Sequence, residues 1–534
     1  MQIKFKHMKQ YKLFKKLAFM MGISLGVVAC DADMLEIKPI TSELETNFYN
    51  TENECFQGLV AVYDVLQWGA VATPGMGASS IPFEWISEIL GDKCYAGGDN
   101  ATDGSNMERL NRGQMNVEDG APRSLWKKYY SGIYRANLLL DKLPDASFET
   151  EANRERFKAE TQFLRAYFYF DLVRLFGNVP LITKQLSSSE ISQAQASPEE
   201  VYAQIVSDLQ KAIDVLPAYS ELPDSQLGRV TKSAAQGLLM RVWLYYTGYY
   251  AQSQLPGVTS AQILTIGDDL ILNSGHSLLT NYGQLFSPLN KNNNESVFEI
   301  QHSEKSYAGW DNSNREVADG NLSVLLWSMR LQPGDNSQYA DGWSFAPIAI
   351  EYYNMFSDND SRKTASFVVP AQEGVNYRKG YQDSGVFPRK WSALKEFQTP
   401  RGDVRVNYPY NNPVIRFSDV LLMAAELHLL HGGDASKAQS YFEAVVRRSM
   451  GPSYNVPSVS HDNIYREREL EFATEGHRYW DLMRRGADYA RSKIDYNGGE
   501  PYVRRFNYAA KGLLPIPQSE IINSNYALQQ NPGY

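Results

Sequence analysis

The stretch RFKAETQFLRAYFYFDLVRLFGNVP, residues 156–180, decides the fold. Phe163, Ala166, Tyr167, Phe170 and Val173 recur at intervals of three and four, which gathers them on one face of an α-helix, and Gly177 and Pro180 end it. The next helix declares its own start: Ser197-Pro198-Glu199-Glu200 supplies an N-cap, a proline at the first position and a glutamate at the third. Val201, Ile205, Leu209, Ile213 and Leu216 then form a stripe that stops at Pro217. In TKSAAQGLLMRVWLYYTG, residues 231–248, Ala234, Ala235 and Gly237 are small enough to let another helix come close.

Downstream, FSDVLLMAAELHLL (417–430) and ASKAQSYFEAVVRRSMG (435–451) flank His431-Gly432-Gly433-Asp434, a turn too short for anything but antiparallel packing. Paired helices with small-residue contacts and short turns predict a mostly α fold on a tetratricopeptide-like scaffold of helical pairs, with few short strands. Between the helical blocks, residues 68–122 and 302–345 are polar, aperiodic and rich in Gly, Asn, Asp and Ser, with tryptophans scattered through them. Embedded aromatics argue for ordered loop excursions rather than disorder. No Pro-rich or Gly/Ser linker divides the chain, so a single domain is expected over 46–534, with an irregular ligand-binding region at about 260–410.

The N-terminus reads differently. MQIKFKHMKQYKLFKK carries six lysines and no acid, and leads into LAFMMGISLGVVA, an apolar run of thirteen residues. A permanent membrane helix needs ~20 residues, so residues 1–29 are expected to be an export signal. Val27-Val28-Ala29-Cys30 resembles a bacterial lipobox, in which the cysteine is freed and acylated; Val28 departs from the commoner Ala, Ser or Gly. On this reading Cys30 is a lipid anchor and residues 30–45 are a tether.

With the leader set aside, 46 basic residues face 61 acidic ones, a net charge of -15. A chain so acidic lacks the basic face that nucleic acid demands. Cys55 and Cys94 remain, either paired in an oxidising compartment or as separate buried thiols.

Catalytic signatures are missing: the sequence contains no GxSxG, P-loop, HExxH, CxxC or strand-borne GxGxxG. PGMGASS at 74–80 reads as a turn, and RGD at 401–403 as chance. His428 and His431, three apart at a helix C-terminus, suit the macrodipole better than a metal. Neither a cofactor nor a metal site is expected, although Asp358-Asn359-Asp360 leaves a bound calcium open. IYRERELEFATEGHRYWDLMRRG (464–486) offers Glu467, Glu471, Arg478 and Asp481 at helical spacing; these read as an ion-pair network anchoring helices rather than a glycosidase dyad.

What remains is aromatic surface. Tyr307, Trp310, Trp327 and Trp343 share one polar region with Asp311, Asn312, Asn314 and Asn321, and Trp68, Trp85, Asp92 and Tyr95 share another. Sugar rings lay CH-rich faces on indole and phenol, while Asn and Asp reach their hydroxyls. Trp310 and Trp343, then Tyr307, Trp327, Trp68 and Asp92, are the candidate ligand residues.

Taken in order, Cys30-Asp31, LEIKP (35–39), FLRAYFYFDLVRLFGNVPL (163–181), GRVTKSAAQGLLMRVWLY (228–245), FSDNDSR (356–362), IRFSDVLLMAAE (415–426), ERELEFATEGHRYWDLMRRG (467–486), LLPIPQSEI (513–521) and QNPGY (530–534) resemble the SusD/RagB family of outer-membrane nutrient-binding lipoproteins. The resemblance implies a non-enzymatic glycan-binding lipoprotein, lipid-anchored on the outer membrane and facing the cell exterior. It would capture oligosaccharide and deliver it to a SusC-like TonB-dependent transporter. Asp31 and Asp33 are similar to the signal that sends such lipoproteins to the outer face. Peptide capture or a structural role on the same scaffold, and less so glycoside hydrolysis, are the alternatives. The family's ligand residues lie in variable loops, so the candidate residues rest on aromatic chemistry and position alone.

Overall fold

The computed structural model describes residues 48–68, 83–305 and 319–534. Residues Thr51–Tyr534 form one compact unit. Its helices in chain order are α1 (Glu52–Gln67), α2 (Phe83–Leu90), α3 (Ser105–Asn111), α4 (Gly120–Lys142), α5 (Glu151–Phe176), α6 (Pro198–Val215), α7 (Lys232–Tyr249) and α8 (Ser260–Asn273). After β1 (Ser296–Ile300) come α9 (Leu322–Trp327), β2 (Asn412–Arg416), α10 (Phe417–Leu430), α11 (Ala435–Met450), α12 (His461–Glu471) and α13 (Arg478–Met483), with shorter turns of helix between them. Each of α4 to α7 packs on its successor, α8 on α10, and α10 on α11, so that helix pairs follow one another as the periodicity predicts. Strands are short: β1 pairs antiparallel with β2, and two further pairs of two-residue strands complete the count among the described residues.

Helix α5 lies between α4 and α6 in this stack. Thr150 caps α5 by accepting from the Asn153 amide, and Gly177 ends it with φ 71°, where a Cβ would lie 2.8 Å from Leu513 Cδ1. The periodicity suggests one buried face, yet every side chain from Ala159 to Phe176 is buried. A helix covered on all sides needs partners all round, and α5 has α4, α6 and α1 against it, with Phe163 edge-on to Phe298 of β1 at 5.1 Å. On α6 the capping box is as expected, with the Ser197 amide donating to Glu200 Oε2 at 2.8 Å. Gly237 of α7 leaves room for Ile415 of β2, which a Cβ would approach to 3.2 Å.

The charged stretch 464–486 is not one helix. It breaks between α12 and α13 at Thr474 (φ 63°) and Gly476 (φ 78°), the latter pressed against Glu84. Its carboxylates are ion-paired and buried: Arg362 reaches Glu467 at 2.5 Å and Arg468 reaches Asp481 at 2.8 Å, while Arg416 lies 2.8 Å from both Glu295 and Glu471. Burial alone would raise the Asp419 carboxyl, but Arg468 and Arg241 hold it well below the usual range. Such pairs gain little net energy over a hydrophobic contact, but each punishes misdocking, because a stranded buried charge is costly. They therefore lock α7, α10, α12 and α13 into one arrangement.

His428 and His431 diverge. His428 Nδ1 accepts from the Asp434 amide and its Nε2 meets Asp268 at 3.1 Å, whereas His431 Nε2 accepts from Trp243 Nε1. Cys55 and Cys94 are separate buried thiols.

Candidate functional site

The chain leaves β1 at Ile300 and reaches Lys305, and it returns at Asp319; the segment between carries Tyr307 and Trp310, which lie outside the described residues. Both ends of that excursion are fastened. Ser303 N and Asp319 O bond at 2.9 Å, Asn407 donates to Glu304 O at 2.8 Å, and Arg401 donates to Lys305 O. Gly320 is squeezed so tightly that a Cβ would lie 2.3 Å from Val406 O. Asn321 then caps α9 and donates to Tyr410 O at 2.8 Å.

Trp343 sits against this base. It is half-buried on the apolar patch of Leu322, Leu325 and Val406, and its amide donates to Leu325 O at 3.0 Å. Arg330 donates from Nε to Trp343 O at 3.1 Å and from Nη2 to Asp103 at 2.7 Å, which ties this loop to residues 96–104. Gly97 and Gly98 make the tie possible: at Gly97 (φ 75°) a Cβ would collide with Pro347 Cδ at 2.4 Å and Ser344 O at 2.5 Å. Exposed Asp341 and the Arg378–Asp99 pair lie on the same knitted loops. Sequence reasoning missed Arg330 and Asp103; the AGGDN run at 96–100 was the available signal, since paired glycines in a polar stretch mark a close approach of backbone.

The C-terminal end of α1 belongs to the same neighbourhood. Burial pushes the Asp64 carboxyl up against its bonds to Trp68 and Arg135, and the charge of Asp319 pushes it the same way. Trp68 itself is clamped, donating to Asp64 Oδ2 at 2.9 Å with the Arg135 guanidinium 4.7 Å over its ring. It lines a cleft of about 550 Å3 between α4, residues 180–193 and the C-terminal end of the chain.

Two candidates are corrected. Trp327 is 1% exposed, and its ring stands edge-on to Trp391 at 5.4 Å, so it is core. The polar composition of 302–345 hid the apolar hexamer LSVLLW, which folds as α9 and plugs the loops onto the scaffold. Asp92 is 8% exposed and bound bidentately by Arg478 at 2.7 and 2.8 Å, with Lys93 at 3.0 Å. Burial would raise this carboxyl, but Lys93 and Arg478 hold it below the usual range, so its hydrogen-bonding capacity serves the fold. Residues 68–122 are likewise less irregular than their composition suggests, because they contain α2, α3 and the start of α4.

Comparison with known proteins places this arrangement. Residues 85–244 match the family model described as starch-binding and associating with the outer membrane, and residues 366–534 match that of the SusD family. A solved laminarin-binding SusD-like protein is 34% identical, with 91% of this chain and 100% of that one aligned at a TM-score of 0.78. Surface glycan-binding protein A from Bacteroides thetaiotaomicron, solved in complex with laminarihexaose, is 28% identical over 90% of this chain and 99% of its own, at a TM-score of 0.79. The starch-binding protein SusD of the same organism is 25% identical over 72% of this chain and 74% of its own length. The helical stack, the knitted loops around Trp343 and these matches together establish that the chain belongs to the SusD/RagB family.

Proposed function

We infer that this chain is a glycan-binding lipoprotein of the cell surface, which captures oligosaccharide and passes it to a SusC-like TonB-dependent transporter in the outer membrane. The observation that carries the reading is the position of Trp343: half-buried on Leu322, Leu325 and Val406, close to where the chain resumes at Asp319 after the stretch of sequence that contains Tyr307 and Trp310. Rings fixed by packing, with carboxylates and guanidinium groups on adjacent loops, are the means by which a protein holds the faces and the hydroxyls of a sugar. The relatives support the class of ligand, since the one at 34% identity is named for laminarin binding and the one at 28% was solved with laminarihexaose; laminarin is the first polysaccharide to test.

Binding rather than turnover fits the charged groups. Glu467, Glu471 and Asp481 are buried and each is engaged by arginine, which leaves no poised acid–base pair among them. Attachment is assigned to a lipid on Cys30 because Val27-Val28-Ala29-Cys30 resembles a lipobox, with the acidic residues after it serving as the address.

A glycan array probed with the protein, followed by titration of the best hit, tests the ligand. Binding confined to one polysaccharide class, at micromolar or weaker affinity and so about 8 kcal/mol or less, is expected. A folded sample that binds no glycan but retains peptides overturns the reading. Cys30→Ala is expected to release the protein from the membrane fraction, and added protease is expected to reach the wild type on intact cells.

A further inference from the structure

The cleft beside Trp68 is not used by the surface around Trp343 and shares no lining residue with it. Its volume of about 550 Å3 falls within the ~300–1,000 Å3 of ligand pockets. Trp126, Tyr130 and Tyr134 stand four residues apart on α4, so helix geometry places them on one face in steps of about 6 Å along the axis. They grade from floor to mouth. Trp126 is 5% exposed and edge-on to Phe176, Tyr130 is half-buried and donates to Pro180 O at 2.9 Å, and Tyr134 is 53% exposed. Ile191, 66% exposed, stands on the segment across the mouth.

Polar groups converge on the same space. Lys127, Tyr134 and Asn523 line the cleft, and none of their side chains has a hydrogen-bond or ion-pair partner among the described residues. A wholly apolar ligand would cover these groups and leave them unpaired, at a cost for each. A polyanion would find too little positive charge, because Arg135 is already paired with Asp64 at 3.0 Å and the lining sets the acidic Glu520 against the one remaining lysine, Lys127. A graded row of aromatic rings with a free phenol, amide and ammonium at its edge suits a carbohydrate, whose ring faces and hydroxyls use both.

We propose that this cleft is a second saccharide-binding site, which takes a further stretch of the polysaccharide held at Trp343. The proposal rests on the glycan reading above. Two contacts on one polymer raise retention through effective concentration, without either site being tight.

Affinity electrophoresis of the protein, in gels that each contain one polysaccharide from a panel including laminarin and starch, tests it. In the gel that retards the parent, Tyr134→Ala is expected to lose at least threefold in retention. Tyr134→Phe keeps the ring and recovers most of the loss, and Trp343→Ala with Tyr134→Ala runs unretarded. Tyr134→Ala migrating as the parent does, in a gel that releases Trp343→Ala, overturns the second site and leaves the glycan reading standing. A folded parent that no polysaccharide retards overturns the glycan reading itself, and the second site with it.

Discussion

Asp92 and Arg478, 386 residues apart in the chain, meet as a bidentate pair with Nε–Oδ1 at 2.7 Å and Nη2–Oδ2 at 2.8 Å. The pair joins the loop that follows α2 to the start of α13. A carboxylate in a polar, aromatic-rich stretch is thus a structural anchor.

Asp92→Ala takes the bidentate partner from a nearly buried Arg478 and leaves it only Glu469 at 3.2 Å; removal of one partner from a buried pair costs about 3–5 kcal/mol, and the remaining contact puts this case at the lower end. The expected result is a denaturation midpoint lowered accordingly, with glycan affinity per folded molecule unchanged. A loss of affinity without a loss of stability would return Asp92 to the ligand site.

Trp343 and Trp327 are expected to separate cleanly. Trp343→Ala removes a half-exposed ring and should weaken glycan binding about tenfold, or ~1.4 kcal/mol, with a small stability loss. Trp327→Ala empties a core position and should cost about 3–5 kcal/mol of stability. Titration and chemical denaturation on both variants check the pair, and the reverse pattern would exchange their roles.

Glu88 carries a pH signature. Burial is the main cause that pushes its carboxyl from the usual value of 4.5 up to about 7, although the Gly476 amide donates to it at 2.8 Å. The folded state therefore holds this proton more tightly than the unfolded chain. The stabilisation is complete below about 4.5 and is lost as pH rises through about 7. Glu88→Gln should flatten that part of the stability profile, and its gain over the parent should grow from pH 5 to pH 8. A difference independent of pH would show that Glu88 does not hold a proton.

Gly320→Ala puts a methyl group 2.3 Å from Val406 O and 2.4 Å from Asn407 Cα. Backbone cannot yield as a side-chain end does, so the expected cost is about 1–3 kcal/mol. Because Gly320 packs on Val406, against which Trp343 also lies, glycan affinity should fall together with stability. Unchanged affinity would detach the Gly320–Val406 contact from the binding surface.

Local pattern was enough for the helices. The spacing of Phe163, Ala166, Tyr167, Phe170 and Val173, the capping box at Ser197 and Glu200, and the short turn at 431–434 each act within a few residues, and each is present in the structure. The ionic character of 464–486 was also legible, because opposite charges at helical spacing advertise pairing; the partners Asp419, Glu295, Arg362 and Arg416 were not, since they arrive from distant segments.

The sequence by itself determined the helical scaffold and the aromatic chemistry available to a ligand, because periodicity, caps and composition are properties of neighbours along the chain, and the order of its motif blocks carried the resemblance to the family. Only the tertiary structure decided which aromatics and carboxylates are free to use it. Trp327 and Trp343 sit sixteen residues apart in one polar stretch and look alike there. One is buried against Trp391 while the other packs at the surface on Leu325 and Val406. Burial depends on which distant segment folds over a side chain, and that is settled only when α9, the 398–407 loop and the helical stack come together.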